Sequence, residues 1–381
     1  MADVLIAGGG IAGSSLAIIL GRAGVTVDLF EASHFPREKP CGEGLMPAGV
    51  AVLRRLGLDA STGGQPLRGV RYHGWGRVAE ANFPLVAGRP VVAVGQRRLL
   101  LDQALFEAAQ ATPGVQVHQG AAVAGAVIEE GRAVGLRVGG SEHRAGLVVA
   151  ADGPLSPVRR SLGLDGPRPR HNRVGFRTHF RLPQGRVQPD VIEVFMGSGH
   201  ELYVTPLPND EVLVAGLSHP AVVGGDARAA LTRWIDAQPV LRERLAGAEP
   251  LTPLAGRSPL ALRARAGLAP GAVLLGDAAG FIDPITAGGM AQALVTAELL
   301  GTFIPRVLAE GRGGDRWLRR FDRRRRRLLR DYHLLTHFML FLVARPILAR
   351  AMLALMQRTP STMSHLIGVA GGVRGLLGGA R

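Results

Sequence analysis

A glycine-rich turn near the start of the chain constrains its fold more than any other feature. The turn Gly8-Gly9-Gly10-Ile11-Ala12-Gly13 follows a short apolar run and opens an apolar helix pattern that extends to Arg22. Gly8 permits a tight turn, Gly10 lets backbone amides approach a pyrophosphate, and Gly13 lets the helix pack closely on the strand. The spacing therefore predicts a dinucleotide whose phosphates sit at the positive N-terminal end of the helix.

A second predicted strand, residues 25–30, ends in the acidic residue Glu31, which Ala32 follows. A carboxylate at this position can accept hydrogen bonds from a ribose diol. The order of strand, turn, helix, strand and terminal acid favours a bound dinucleotide over a glycine turn without ligand. These residues do not distinguish NAD from FAD.

Two later segments narrow the choice of cofactor. Ala151-Asp152-Gly153 follows a buried run, and Gly276-Asp277 follows another that leads through Pro284 to Gly288-Gly289-Met290. Each aspartate alone could be a helix N-cap. In this order, the three motifs resemble the flavoprotein superfamily of class A (para-hydroxybenzoate-hydroxylase-like) monooxygenases, geranylgeranyl reductases and flavin halogenases, across residues 1–310.

The resemblance implies FAD as cofactor and NADPH or NADH as a transient reductant without its own binding domain. It also implies that Asp277 accepts hydrogen bonds from the ribityl hydroxyls and that the helix after Gly288 directs amides at the flavin pyrimidine edge. Pro284 would stiffen the loop beside the flavin, and Arg98 would lie near the phosphates. The predicted cofactor-binding residues are Gly8, Gly10, Ile11, Ala12, Gly13, Glu31, Ala32, Arg37, Cys41, Gly42, Arg98, Asp152, Gly153, Gly276, Asp277, Pro284, Gly288, Gly289 and Met290.

The segment Phe35–Leu45 resembles the geranylgeranyl-reductase branch, as does Gly280, where many class A hydroxylases have histidine. Lys39 and Cys41, the only lysine and the only cysteine, both fall in this segment. Cys41 is either a functional group or a small buried hydrophobic residue. Both interpretations stay open.

Other positions depart from the reductase pattern. The run Tyr203–Pro208 lacks the tryptophan of the prenyl reductases' Tyr-x-Trp-x-Phe-Pro stretch, and Ala287 replaces a glycine of the flavin loop. The halogenase Trp-x-Trp-x-Ile-Pro motif is absent, which disfavours halogenation. Because the tryptophan is missing, we favour a monooxygenase that hydroxylates a lipophilic aromatic or polyketide-type substrate through a flavin hydroperoxide.

Two alternatives remain: a reductase of isoprenoid double bonds, and a non-catalytic protein of this fold that carries isoprenoids. The intact flavin motifs speak against the second. Candidate catalytic residues are Cys41, His200 and Tyr203, with His179 as a further polar group on the same sheet. Lone His and Tyr residues on strands more often have structural roles.

Alternating stretches separated by turns between residues 170 and 260 predict an antiparallel sheet. The predicted fold class is therefore α/β, with a Rossmann-like FAD-binding lobe, an inserted antiparallel-sheet substrate lobe and C-terminal helices. We assign residues 1–68, 95–165 and 265–310 to the FAD-binding lobe. Residues 69–94 and 166–264 form the substrate lobe, and 311–381 the helical region.

The net charge of +15 comes almost wholly from arginine, and aromatic residues make up 5% of the chain, which argues against nucleic-acid binding. A single cysteine excludes an internal disulfide and a cysteine-based metal site, and we predict no metal. The N-terminus enters directly into an apolar strand without a basic leader. We therefore expect a cytoplasmic protein.

The C-terminal region combines an arginine run, Arg319–Arg327, with an apolar stretch, Leu328–Met356. Arg345, Pro346 and Arg350 interrupt this stretch, so it predicts one or two amphipathic helices and no membrane span. These helices either cover a lipophilic pocket and touch an anionic inner membrane, or pack on the FAD lobe with a solvated arginine face.

Overall fold

The computed structural model of the chain describes residues 1–58, 63–167, 173–186 and 188–379. The parts of the predicted domains at 59–62, 168–172, 187 and 380–381 lie outside the described residues. The helices are α1 (Ile11–Arg22), α2 (Pro47–Arg55), α3 (Arg98–Gln110), α4 (Pro157–Ser161), α5 (Pro220–Val223), α6 (Ala227–Asp236), α7 (Pro239–Arg244), α8 (Gly289–Gly301), α9 (Ile304–Ala309), α10 (Asp315–Val343), α11 (Pro346–Arg358) and α12 (Pro360–Ala370). The strands are β1 (Val4–Ala7), β2 (Val27–Glu31), β3 (Gly44–Leu45), β4 (Gln65–Leu67), β5 (Gly69–Gly74), β6 (Arg77–Asn82), β7 (Ala93–Gly95), β8 (Val115–Gln119), β9 (Val123–Glu129), β10 (Arg132–Val138), β11 (Ser141–Arg144), β12 (Leu147–Ala150), β13 (Val174–Arg181), β14 (Val191–Met196), β15 (His200–Pro206), β16 (Glu211–Ser218), β17 (Glu249–Pro250), β18 (Ala255–Arg257), β19 (Leu262–Arg263), β20 (Leu268–Ala269), β21 (Ala272–Leu274) and β22 (Gly280–Phe281).

The first sheet has the order β20-β21-β12-β1-β2-β8, in which only β20 runs antiparallel to its neighbour among the described strands. Its central strands are fully buried, as expected for a parallel sheet covered on both faces. Helix α1 packs very close to the end of β1. A Cβ on Gly13 would come within 1.9 Å of the carbonyl oxygen of Gly8, the residue that follows β1. This sheet brings the glycine turn and the two aspartate segments to one edge.

The second sheet has the order β17-β13-β16-β15-β14-β5-β6, with β18 also paired to β13. Strand β5 joins it through a parallel pairing with β14, so the segment after residue 69 belongs to this sheet. Along β15 the side chains alternate: Leu202 and Val204 pack with Trp234, whereas Tyr203 and Thr205 face the first sheet. The predicted fold class is confirmed.

The apolar stretch Leu328–Met356 lies in two helices, α10 and α11, in line with the prediction of one or two, and α12 follows them. Helix α10 ends before Pro346, which cannot continue a helix. It packs on the loop of residues 284–288, where the hydroxyls of Thr286 and Thr336 are 2.8 Å apart and the Tyr332 hydroxyl accepts a hydrogen bond from the Gly288 amide at 3.2 Å. Within the described chain, no single helix is long and apolar enough to cross a membrane; the pair Gly311–Val343 and Pro346–Arg358 meets that test only together, bent by 118°.

Candidate functional site

A cleft of about 1420 Å³ lies between the two sheets and is partly open to solvent. The first sheet and its loops supply the walls that the sequence predicted for a cofactor, and the second sheet supplies an apolar wall opposite. The cofactor-side lining includes Gly10, Ile11, Ala12, Cys41, Gly42, Arg98, Gly153, Gly276, Asp277, Pro284, Gly289 and Met290. The opposite wall includes Phe176, Ile192, Tyr203, Thr205, Ala215, Leu217 and Leu260.

The glycines of the turn are constrained for different reasons. Gly8 has φ +97°, and a Cβ there would lie 2.4 Å from the Ala151 carbonyl oxygen, so the backbone of the fold itself requires glycine. At Gly10 the closest atom to a Cβ would be Nη2 of Arg37, at 3.4 Å. The chain therefore leaves space beside Gly10, on the cleft side, where a Cβ would intrude on a bound phosphate.

Glu31 reaches back over the glycine turn. Its Oε2 accepts a hydrogen bond from the Gly9 amide at 2.8 Å, and its Oε1 accepts one from the Ser33 amide at 2.9 Å. The guanidinium of Arg37 lies 3.6 Å from Glu31 and 3.2 Å from Asp102. Glu31 and Arg37 thus stand together beside the turn although neither lines the open cleft, and Ala32 next to them is exposed.

The cleft has a cationic wall formed by Arg98 and Lys39. Arg98 is buried, and its Nε and Nη2 each donate to a carboxylate oxygen of Asp102 at 2.7 Å. Burial opposes ionisation of Asp102, but the Arg98 guanidinium outweighs it and lowers the pKa of Asp102. Burial, together with the nearby charge of Arg98, lowers the pKa of Lys39. The sequence did not place Lys39 among the cofactor residues, although its position as the only lysine marked this loop.

Asp152 carries an oxygen without a partner. Its Oδ2 accepts a hydrogen bond from the Val158 amide at 3.2 Å, whereas its buried Oδ1 has no hydrogen-bond partner among the described residues. Burial raises the pKa of Asp152. A buried carboxylate oxygen beside the cleft needs a donor, and a hydroxyl of a bound cofactor would supply one. Together with the space at Gly10, this oxygen shows that the residues present fit FAD.

The loop of residues 38–43 joins the two lobes. The carboxylate of Glu38 pairs with Arg97 and Arg177, and the buried carboxylate of Glu43 bonds both His179, 2.8 Å from Nε2, and the Arg98 amide at 2.9 Å. Nδ1 of His179 lies 2.9 Å from the Thr252 hydroxyl. His179 therefore connects strand β13 to the cofactor side, and its ring has no exposure to the cleft.

The structure separates the three catalytic candidates. Cys41 lines the cleft, and its Sγ accepts a weak hydrogen bond from the Glu43 amide at 3.4 Å. Tyr203 also lines the cleft; its hydroxyl donates to the Ile285 carbonyl at 3.0 Å, and burial raises its pKa well above the usual value. His200 lies on the opposite face of the sheet, stacked on Trp234 at 4.3 Å between ring centroids, so the structure does not bring it to the cleft.

Sequence reasoning missed a buried charge cluster beside the loop of residues 284–288. The guanidinium of Arg173 contacts Glu201 on β15 and lies 3.1 Å from Oδ1 of Asp283. Burial raises the pKa of Glu201 to about 7, although Arg173 acts in the opposite direction. The only sequence signal is an acidic residue on the cleft-facing side of β15, where the other residues, Tyr203 and Thr205, are uncharged.

Two smaller cavities extend the cleft beneath the C-terminal helices. The second, about 550 Å³, shares Ile192, Tyr203 and Ala287 with the cleft. The third, about 280 Å³, shares Tyr72, Met339 and Met356 with the second. Their walls are almost wholly apolar, and the remaining residues that line the third are Met196, Leu342, Val343, Ala349, Met352 and Leu353.

Comparisons with known proteins show the family to which the chain belongs. A family model described as an FAD binding domain matches residues 1–333. The menaquinone reductase of Mycolicibacterium smegmatis is 32% identical over 78% of this chain and 75% of its own. Digeranylgeranylglycerophospholipid reductase 2 of Methanopyrus kandleri is 26% identical over 84% of this chain and 81% of its own. Squalene epoxidase 3 of Arabidopsis thaliana is 29% identical over 78% of this chain and 59% of its own.

Solved structures share the fold. A flavin-dependent brominase variant aligns with a TM-score of 0.83 at 20% identity, covering 98% of this chain and 95% of its own. At that identity the likeness concerns the fold alone.

Proposed function

This chain belongs to the FAD binding domain family matched over residues 1–333, and within that family we propose that it reduces isolated double bonds in a long isoprenoid chain. The resemblance that the sequence motifs indicated is confirmed, and the chain is an FAD-dependent oxidoreductase. The reaction and its substrate are our proposal. The sequence favoured hydroxylation because of the missing tryptophan. We propose reduction instead, because the elongated series of cavities suits a long hydrocarbon chain.

The observation that carries the proposal is the series of cavities that begins at the cleft and continues under α10 and α11. A compact aromatic substrate would fill only the cleft. A linear hydrocarbon could extend from the cleft toward the two smaller cavities, which share lining residues one after the next, and the flexible methionine side chains of their walls would move aside to admit it. Menaquinone, squalene and digeranylgeranylglycerophospholipid, the compounds that name the three relatives, all carry polyisoprenoid chains.

Bound FAD supplies two-electron transfer between a reduced nicotinamide and an organic substrate. We propose that Gly10 and Lys39 hold its phosphates, and that Asp152 and Asp277 accept hydrogen bonds from its hydroxyls. On the opposite wall, Ile192 and its apolar neighbours hold the hydrocarbon and exclude water. Because Tyr203 and Thr205 bond Ile285 and Gly42 respectively, they fix the distance between that wall and the cofactor loops.

Addition of hydrogen to a double bond also requires a proton. Glu201 is the acid best suited to hold it, because its pKa of about 7 leaves the carboxyl partly protonated near neutrality. Glu201 lies on β15, on the same face of the strand as Tyr203, which lines the cleft and the second cavity. We propose that the Glu201 carboxyl supplies this proton.

One observation favours oxygenation as a second candidate. Thr205 stands where the prenyl reductases that the sequence resembles have tryptophan, and it lines the cleft, so the wall opposite the cofactor differs from theirs at this point. In that case the same cavities would hold an isoprenoid that receives an oxygen atom.

A chain-length series tests the shape argument directly. Perturbation of flavin absorbance by geraniol, farnesol and geranylgeraniol should give affinities that rise about tenfold or more with each isoprene unit, because each unit buries further apolar carbon. Met356→Trp should narrow the junction of the second and third cavities and abolish the additional affinity for geranylgeraniol, with no effect on geraniol or farnesol. Leu355→Trp, an exposed neighbour, is the matched control. Equal affinities for the three ligands would reject the proposal.

A further inference from the structure

The two helices that cover the cavities also expose apolar side chains. On α10, Leu334, Phe338 and Phe341 follow the spacing of one helix face and are 54%, 42% and 48% exposed. On α11, Ile347, Leu348 and Leu355 are 81%, 39% and 50% exposed. We call these six residues the docking face. Large apolar side chains grouped on a surface indicate an interaction site.

The part of the sequence that carries the docking face is rich in arginine and lacks acidic residues. After Asp331 the chain has no Asp or Glu, whereas it has Arg345, Arg350, Arg358, Arg374 and Arg381. On α10 the exposed residues Arg323, Arg327 and Arg330 occupy the helix face that continues into Leu334 and Phe338. The guanidinium of Arg345 stacks on the Phe341 ring at 3.8 Å, so charge and apolar surface adjoin at the corner between the helices.

The inner faces of the same helices wall the third cavity. Leu342 and Val343 of α10 and Ala349, Met352 and Leu353 of α11 line it. A lipid that reaches the corner between α10 and α11 therefore meets the same helices that wall the cavity.

We propose that the docking face inserts into the headgroup boundary of an anionic bilayer and that the isoprenoid substrate enters the third cavity from the bilayer at the corner between α10 and α11. The two helices are bent by 118° relative to each other, which suits a position in the plane of the interface. Exposed arginines meet anionic headgroups while the apolar side chains reach the acyl region. The route of entry rests on the proposed function, but binding to the bilayer does not.

A second copy of this chain is a poorer occupant of the docking face. A two-fold contact places the same surface on both sides. Arginine would then face arginine, since no acidic residue follows Asp331. Anionic phosphate supplies the complement that the chain itself lacks here.

The test is vesicle flotation of the full-length, FAD-loaded protein at low salt. With vesicles containing phosphatidylglycerol we expect the wild type to float, and with pure phosphatidylcholine we expect at least tenfold less bound protein. Ile347→Asp and Arg345→Glu should each reduce binding to the anionic vesicles about tenfold. Two matched controls should float like the wild type. They are Val240→Asp on α7, where Val240 is 52% exposed, and Arg160→Glu, where the Arg160 side chain is 67% exposed.

Three results would overturn the proposal: no flotation of the wild type with anionic vesicles, equal losses in the control variants, or a dimer in lipid-free solution that Ile347→Asp dissociates. Unchanged circular dichroism and thermal midpoints establish that Ile347→Asp is folded. Reduction assays separate the two proposals. Ile347→Asp should keep its rate on dissolved geraniol and lose it on vesicle-embedded geranylgeraniol. If the wild type floats but reduces neither compound, the proposed docking face stands and the proposed reaction is rejected.

Discussion

The contact between Glu43 and His179 should be a main stabilising link between the sheet lobe and the cofactor lobe. Both side chains have no solvent exposure, and the carboxylate also accepts the Arg98 amide. Glu43→Ala removes the acceptor for two buried donors, each of which costs about 1–3 kcal/mol when left without a partner. We therefore expect the free energy of unfolding to fall by about 3 kcal/mol, with weaker FAD retention because the residue also fixes the Arg98 backbone.

The assay is urea unfolding of wild type, Glu43→Ala, His179→Ala and the double variant at neutral pH. Because the two side chains share one hydrogen bond, the double-variant cycle should give a coupling of about 1–3 kcal/mol. Glu43→Gln is the conservative control: its amide can bond the other tautomer of His179, so most of the stability should remain. Additive losses, with coupling under about 0.5 kcal/mol, would refute the account of this link.

Two further predictions concern single residues. Gly10→Val should leave the apoprotein folded, since only the end of the Arg37 side chain lies near the added Cβ, but it should abolish FAD binding in a flavin-fluorescence titration. The control is Gly24→Ala, at a position with open space and φ +77°, which should lose about 1 kcal/mol of stability and still bind FAD. The pKa of Glu193 is held to about 2, against burial, by hydrogen bonds from His73 and Arg244. A depressed pKa contributes stability above the unfolded value and loses it as pH falls through the folded value, so Glu193→Gln should cost about 3 kcal/mol at pH 7 and less near pH 3 in urea unfolding. Unaltered FAD affinity in Gly10→Val, or a pH-independent difference for Glu193→Gln, would contradict these predictions.

The parts of the site that the sequence predicted are local in the chain. The turn Gly8–Gly13 and the Gly276–Asp277 segment each combine a strand end, a turn and a helix start within a short stretch, and the parallel sheet then brings their edges together. The end of α10 before Pro346 is also determined by a neighbouring residue, since proline cannot continue a helix.

Contacts between distant segments left no such pattern. Glu43 and His179 are 136 residues apart, and Arg173 and Asp283 are 110 apart, so no spacing rule connects them. The positions of His200 and Tyr203 illustrate a second limit: alternation along β15 places them on opposite faces, but only the packing of Trp234 against one face determines which of the two reaches the cleft. The cavities under α10 and α11 depend on how whole helices pack and have no sequence signature.

The central claim is reduction of an isoprenoid double bond, and product analysis without oxygen tests it most directly. The FAD-loaded protein is reduced with dithionite under strict anaerobiosis and mixed with geranylgeraniol in anionic vesicles. We expect mass spectrometry to show a product that has gained two hydrogen atoms, formed without dioxygen. A product that forms only after air is admitted, and that has gained one oxygen atom, would contradict the account and assign the cavities to an oxygenase.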